Sequence, residues 1–290
     1  MRDLNFELKN MCRDIKHGSY VSRANRHSIL QISANQLFDL GYKLDFAKSL
    51  KPKHVESLLG KWKEEGLSTG TIKNRLSHLR WWAKTVGKPG ILKKENAKYG
   101  IGARKNNYTP RAFSLSTEML DQITNDRVRL ALQLQQAFGL RKEEALKFRP
   151  NAAVFGDKIV LHPSWTKGRR GREIPITNEY QRKLLDAVHT MAGNGSLVPT
   201  DKNYIQFVRV YYREASKAKI KNPHGLRHFY AQRRYMTLTC GMKPPALGGV
   251  KRSQMSEAQR RVDIEARLQI SQELGHNRLD VTNVYLGGAR

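Results

Sequence analysis

The chain has 290 residues, 39% of them hydrophobic, which suits two domains with packed cores and excludes a disordered polypeptide. Lysine and arginine number 53 against 25 aspartates and glutamates, and a formal charge of +28 calls for a polyanionic partner, nucleic acid first. A polar, charged start and the lack of a long apolar run argue against a signal peptide or membrane span, and the distant Cys12 and Cys240 argue against a disulfide framework or structural zinc. Nucleic acid in a reducing cytosol is the expected setting, with no membrane.

Residues 1–100 read as a helical domain. Leu30, Ala34, Leu37 and Phe38 share one helical face. Val55, Leu58, Leu59 and Trp62 make a second stripe, and Ile72, Leu76, Leu79 and Ala83 a third, with Ser68 as its N-cap. Lys73, Arg80 and Lys84 flank that third stripe on one side and Arg75 on the other. They are either a solvated face or, in so basic a chain, phosphate contacts. Residues 101–114, with Gly102, Pro110 and little periodicity, read as a linker. The second domain, 115–290, opens with a helix capped by Ser116 and a stripe of Leu130, Leu134, Ala137 and Phe138. Two short strands follow, VFGDKIVLH and REIPIT, with TKGRRG as the turn between them. Helix then resumes to the end, and 236–266 reads as an insertion carrying Lys251, Arg252, Arg260 and Arg261. The expected fold class is mainly α with a small antiparallel sheet.

Four places carry candidate chemistry. Arg141 and Glu144 are spaced as an i,i+3 ion pair, which by itself needs no function. The basic turn places Lys167, Arg169, Arg170 and Arg172 together, either as an exposed turn or as a loop entering a DNA groove. Lys167 has a proton to donate, which an arginine keeps. In NPHGLRHFYAQRRY, Asn222 and Pro223 predict a helix start with His224 and Arg227 on one face of its first turn, where anions are favoured. His228 points elsewhere, as a packing or hydrogen-bonding histidine. In LGHNRLDVTNVY, His276 and Tyr285 are nine residues apart and would lie on opposite faces of a continuous helix. They converge only if the helix stops at Gly275 and restarts near Leu279. Otherwise Tyr285 is an interfacial core tyrosine.

Taken together and in order, R-x-x-E, a hairpin lysine, H-x-x-R, L-G-H and a tyrosine nine residues on resemble the tyrosine recombinase (phage-type integrase) family. The resemblance covers 115–290 as the α+β catalytic domain. It covers 1–100 more weakly, as a SAM-like helical core-binding domain. It implies that Tyr285 attacks a DNA phosphodiester to leave a 3′-phosphotyrosine and a free 5′-hydroxyl. Arg141 and Arg227 would clamp the non-bridging oxygens, and Lys167 would protonate the leaving oxygen. His224 would manage the tyrosine proton, His276 would hydrogen-bond the phosphate, and Glu144 would support the site. One phosphoester replaces another, so the resemblance implies neither ATP nor metal.

The same resemblance implies integration or excision of a mobile element by a homotetramer on two DNA sites, and allows for an accessory directionality factor. Two departures from the family pattern stand out: the His224-to-His276 spacing is long, and five residues follow Tyr285, few for a tail docked on a neighbouring protomer. A type IB topoisomerase-like enzyme, or an inactive DNA-binding protein of the same fold, are the alternative readings.

Overall fold

The computed structural model describes residues 2–103, 110–166, 171–276 and 278–288. The backbone divides into two units, 1–105 and 106–290. It is mainly helical, with one three-stranded antiparallel sheet.

The first unit is built from α1 (Asp3–Asp14), α2 (Tyr20–Asp39), α3 (Pro52–Glu64) and α4 (Thr69–Thr85). The stripes of α3 and α4 are buried as their spacing requires, and Ser68 caps α4 by accepting from the Thr71 amide at 3.2 Å. The sequence reading missed α1, although Leu4, Leu8 and Cys12, four residues apart, bury one face of it. Phe38 departs from its stripe: it is 41% exposed, with the Arg2 guanidinium over its ring. The buried indoles of Trp62 and Trp82 each find an acceptor, at Gln36 Oε1 (2.8 Å) and the Ala47 carbonyl (3.0 Å).

The second unit opens with α5 (Thr117–Asp121), capped by Ser116, and α6 (Asp126–Phe138). Then come α7 (Lys142–Leu146), α8 (Pro150–Ala153), β1 (Val154–Phe155), β2 (Lys158–Leu161) and β3 (Arg172–Pro175). Two strands were expected. Three form, because Gly156-Asp157 folds VFGDKIVLH back on itself. In the β2–β3 register Ile159 faces Ile174 and Leu161 faces Arg172, so one alternating face buries Ile159, Leu161, Arg172 and Ile174. Residues 110–114 of the expected linker lie against this unit, where Phe113 packs on its core.

α9 (Glu179–Ala192), α10 (Tyr204–Lys217), α11 (Gly225–Leu238), α12 (Glu257–Glu273) and α13 (Asn283–Leu286) complete the unit. α11 starts two residues later than expected, and His224 is its N-cap rather than a first-turn residue. Gly225 there passes so close to the Arg111 carbonyl that a Cβ would lie 2.2 Å from it. The expected insertion also contracts. α11 runs to Leu238 and α12 starts at Glu257 behind a Ser256–Gln259 capping box, leaving 239–256 irregular. Within it, the 3-10 turn Pro245–Leu247 packs against α13. Lys251, Arg260 and Arg261 are exposed, with Arg261 paired to Glu257 at 2.8 Å.

Gly139 ends α6 with φ +61°, and a Cβ there would meet Tyr230 Cδ1 at 2.5 Å and Leu274 Cδ2 at 2.9 Å. Left-handed strain and overpacking together predict that Gly139→Ala lowers the stability of the second unit by roughly 2–5 kcal/mol. Chemical denaturation checks this, and an unchanged midpoint would contradict the packing described.

Candidate active site

The third residue of α11, Arg227, is 1% exposed. Its guanidinium donates to the carbonyl oxygens of Gly139, at the end of α6, and Leu274, at the end of α12. Both helix ends present free carbonyls because their chains turn there, so the cation joins two C-terminal dipoles. The remaining donors face the end of the chain: Arg227 Nε donates to Tyr285 Oη at 3.3 Å, and one terminal nitrogen lies 3.4 Å from His276 Nε2. Burial, with the nearby Arg141 and Arg172 charges, lowers the Arg227 pKa to about 10, which leaves it protonated at neutral pH.

The helix break that the His276-to-Tyr285 spacing demands is present. α12 ends at Glu273, Gly275 has φ +68°, a 3-10 turn spans Leu279–Thr282, and α13 carries Tyr285. His276 Nε2 and Tyr285 Oη are therefore 3.3 Å apart, although Tyr285 is 5% exposed. Gln232 of α11 donates to the Tyr285 carbonyl at 3.0 Å. The His228 ring lies 4.6 Å from the Tyr285 ring and is buried, so this histidine packs on the tyrosine rather than pointing elsewhere. Among the described residues its Nδ1 has no hydrogen-bond partner. The His224 ring is 6.4 Å from the Tyr285 ring.

A second layer holds the other cations. Glu144 is 3% exposed and accepts from Arg172 at 2.6 and 3.0 Å and from Arg141 Nη1 at 2.8 Å. It also accepts from the Arg141 amide at 2.7 Å, so the N3 side chain of α7 reaches back to satisfy the backbone N–H of its N-cap, Arg141. The other Arg141 terminal nitrogen donates to the Leu274 carbonyl at 3.3 Å, beside Arg227. Burial by itself would raise the Glu144 pKa, but the Arg172 and Arg141 pairings outweigh it and hold the carboxyl at about 2.

The histidines are shifted the other way. Burial and the Arg227 and Arg141 charges lower His224 and His276 to about 4, and burial and the neighbouring His224 do the same for His228. All three imidazoles are neutral at neutral pH. The site therefore joins a phenol oxygen, neutral imidazoles and fixed guanidiniums, a combination suited to attack on an anionic centre whose charge grows in the transition state. Among the described residues, no cluster of His, Cys, Asp or Glu could hold a metal ion, and no helix is long and apolar enough to cross a membrane.

Comparison with known proteins bears on this arrangement. The family model for the N-terminal part of phage integrases matches residues 1–91, and the integrase model matches 101–233. The chain belongs to the tyrosine recombinase family. Solved structures share the fold at low identity. Lambda integrase, in a dimer bound to a COC′ core site, is 14% identical with a TM-score of 0.61, covering 99% of this chain and 96% of that one. The Tn1549 transposon integrase in complex with circular intermediate DNA is 14% identical with a TM-score of 0.56, covering 100% and 97%. A lambda integrase tetramer bound to a Holliday junction is 14% identical with a TM-score of 0.56, covering 95% and 76%. No curated protein matches the chain by sequence.

Of the site residues expected for a recombinase, Arg141, Glu144, His224, Arg227, His276 and Tyr285 come together in this one region of the second unit. Lys167, Arg169 and Arg170 lie outside the described residues. Arg172 does not fit its expected place on an exposed DNA-contacting turn. It is 7% exposed and bonded to Glu144 and the Glu273 carbonyl. The alternation of Arg172, Ile174 and Ile176 carried that signal, since residues two apart on a strand share a face. In the first unit Arg80 is committed internally, to the Lys93 carbonyl and Asn96. The Arg75 guanidinium lies over Trp62, Lys73 is half-buried and Lys84 is exposed. Sequence reasoning missed Gln232, although it lies four residues after His228 on the same helical face.

Glu144 provides a stability test. Its folded pKa of about 2 lies below the ordinary 4.5, so its stabilisation is complete above about pH 4.5 and is lost as pH falls toward 2. Glu144→Gln is expected to cost roughly 3 kcal/mol at pH 7. In parallel denaturation series the gap to wild type should close between pH 4.5 and 2. A gap independent of pH would show that the carboxylate is not the stabilising form.

Proposed function

We propose that the chain is a site-specific DNA recombinase that cuts and rejoins strands through a phosphotyrosine. The observation that carries this reading is the placement of Tyr285 Oη 3.3 Å from both Arg227 Nε and His276 Nε2. A phenol is a poor nucleophile as long as it keeps its proton. A neutral imidazole at that distance can take the proton, and a guanidinium favours the resulting anion. Tyr285 Oη attacks phosphorus, the bond to the 5′-oxygen breaks, and the 3′-end stays on the tyrosine. Arg227 and Arg141 hold the non-bridging oxygens, with forked donors matched to phosphate. Once it has taken the phenol proton, His276 hydrogen-bonds the phosphate, and neutral His224, its ring centre 6.4 Å from that of Tyr285, helps to carry the proton onward. Lys167 donates the proton that the departing 5′-oxygen needs. Glu144 acts through Arg141 and Arg172 rather than on the substrate.

The same family of structures supports the assembly. Lambda integrase is known as a dimer on a core site and as a tetramer on a Holliday junction, and the Tn1549 integrase belongs to a transposon. We infer DNA duplex binding, a homotetramer on two sites, and integration or excision of a mobile element. The domain roles follow, with 1–100 as a core-binding domain, 101–114 as a linker and 115–290 as the catalytic domain. The +28 charge supports phosphate contacts across both units.

Two experiments test this. A duplex enriched by the wild-type protein from a randomised library, then nicked beside its cleavage position, should trap a covalent adduct. Tyr285→Phe should give none, and Arg141→Ala and Arg227→Ala should lose cleavage by at least about a hundredfold while still binding the duplex. An adduct from Tyr285→Phe would remove the nucleophile assignment, and relaxation of supercoils without exchange between two sites would point to a topoisomerase. Affinity for that duplex should also fall steeply, roughly a thousandfold, between 50 and 200 mM salt. A flat response would contradict the reading of the charge.

A further inference from the structure

Tyr285 sits in a helix of four residues, Asn283–Leu286, too short to hold itself together. What fixes it must come from outside the segment. Arg267, in the middle of α12, reaches both of its ends. One terminal nitrogen donates to the Asn283 side-chain oxygen at 3.2 Å and to the Gly287 carbonyl at 3.4 Å. Those two residues bracket Tyr285, two positions before it and two after. The Arg267 side chain is fully buried, and its Nε donates to Asp263 Oδ1 at 2.7 Å. Tyr235 of α11 donates to the same Asp263 oxygen at 2.7 Å.

The pair is not arranged to satisfy itself. Among the described residues Asp263 Oδ2 and the second terminal nitrogen of Arg267 have no partner. Burying two charges costs several kcal/mol, and a self-contained ion pair would use every donor to offset it. Here donors are turned toward the tyrosine segment instead. The Cα path after Tyr285 is also pinned from the other side, where a Cβ on Gly287 would lie 2.8 Å from the Ala246 amide nitrogen of the irregular segment.

We propose that Arg267, anchored by Asp263, is a positioning residue that sets the height and direction of the Tyr285 hydroxyl, with Asn283 as the arm through which it acts. This rests on the reading of Tyr285 as the nucleophile. It needs the planar fork of arginine. A lysine would keep a cation against Asp263 but could not also span Asn283 and Gly287.

The test uses the nicked duplex enriched by the wild-type protein. At saturating protein, Arg267→Lys and Asn283→Ala should each slow adduct formation roughly tenfold to a hundredfold, with affinity for the duplex within about twofold of wild type. Because both act on one geometry, the double variant should be no slower than the slower single variant by more than about twofold. Asn283→Ala leaves the buried pair intact, so it decides the matter even where Arg267→Lys loses folding. A normal rate in Asn283→Ala, a loss that appears in affinity instead of rate, or multiplying effects in the double variant would overturn the proposal alone. An adduct that persists in Tyr285→Phe would overturn the nucleophile reading, and this proposal with it.

Discussion

A guanidinium with almost no exposed surface sits where the C-terminal ends of α6 and α12 meet, and the site residues of the second unit are arranged around it. Taking Arg227 out of water costs several kcal/mol. Carbonyls at the ends of α6 and α12 offset that cost, because a charge-assisted hydrogen bond contributes roughly 1.5–3 kcal/mol. Each acceptor exists only because its helix stops there. Gly139 and Gly275 adopt the left-handed backbone that makes the stops, and both are closely packed. The cation, the glycines and the helix ends are thus one constraint.

That charge shapes its neighbours. Arg141 and Arg172 lie in the same region and would repel it, and Glu144 answers both with one carboxylate. The other nearby carboxylate, Glu273, is taken by Arg234 and Tyr230. Burial, reinforced by the cluster's surplus of positive charge, holds His224, His228 and His276 in their neutral forms. A phosphodiester entering this region would bring the balancing charge and would meet imidazoles able to exchange a proton. The same guanidiniums that attract the anion therefore add to the burial that keeps the histidines neutral.

Much of this was legible in the residues. The stripes of α3 and α4, the Ser68 and Ser116 caps and the forced break between His276 and Tyr285 follow from periodicity and capping chemistry. The misses have specific physical reasons. α1 is short and carries its apolar residues sparsely among charged ones. The Gly156-Asp157 turn hid inside what reads as one strand. Arg172 looked like part of a basic run because charge was weighed before strand alternation. The start of α11 moved because Gly225 must pass against the Arg111 carbonyl, a contact between residues more than a hundred positions apart.

The sequence by itself determined the helical character, the small sheet, the family and the residue types of the site, because these depend on local spacing and side-chain chemistry. The tertiary structure alone decided that Arg172 serves Glu144, that His228 lies on the Tyr285 ring, and that Arg267 reaches both ends of a four-residue helix. Those contacts join residues far apart in the chain through buried charge. Whether a buried charge is tolerated depends on which acceptors the folded backbone presents to it, and no local pattern encodes that.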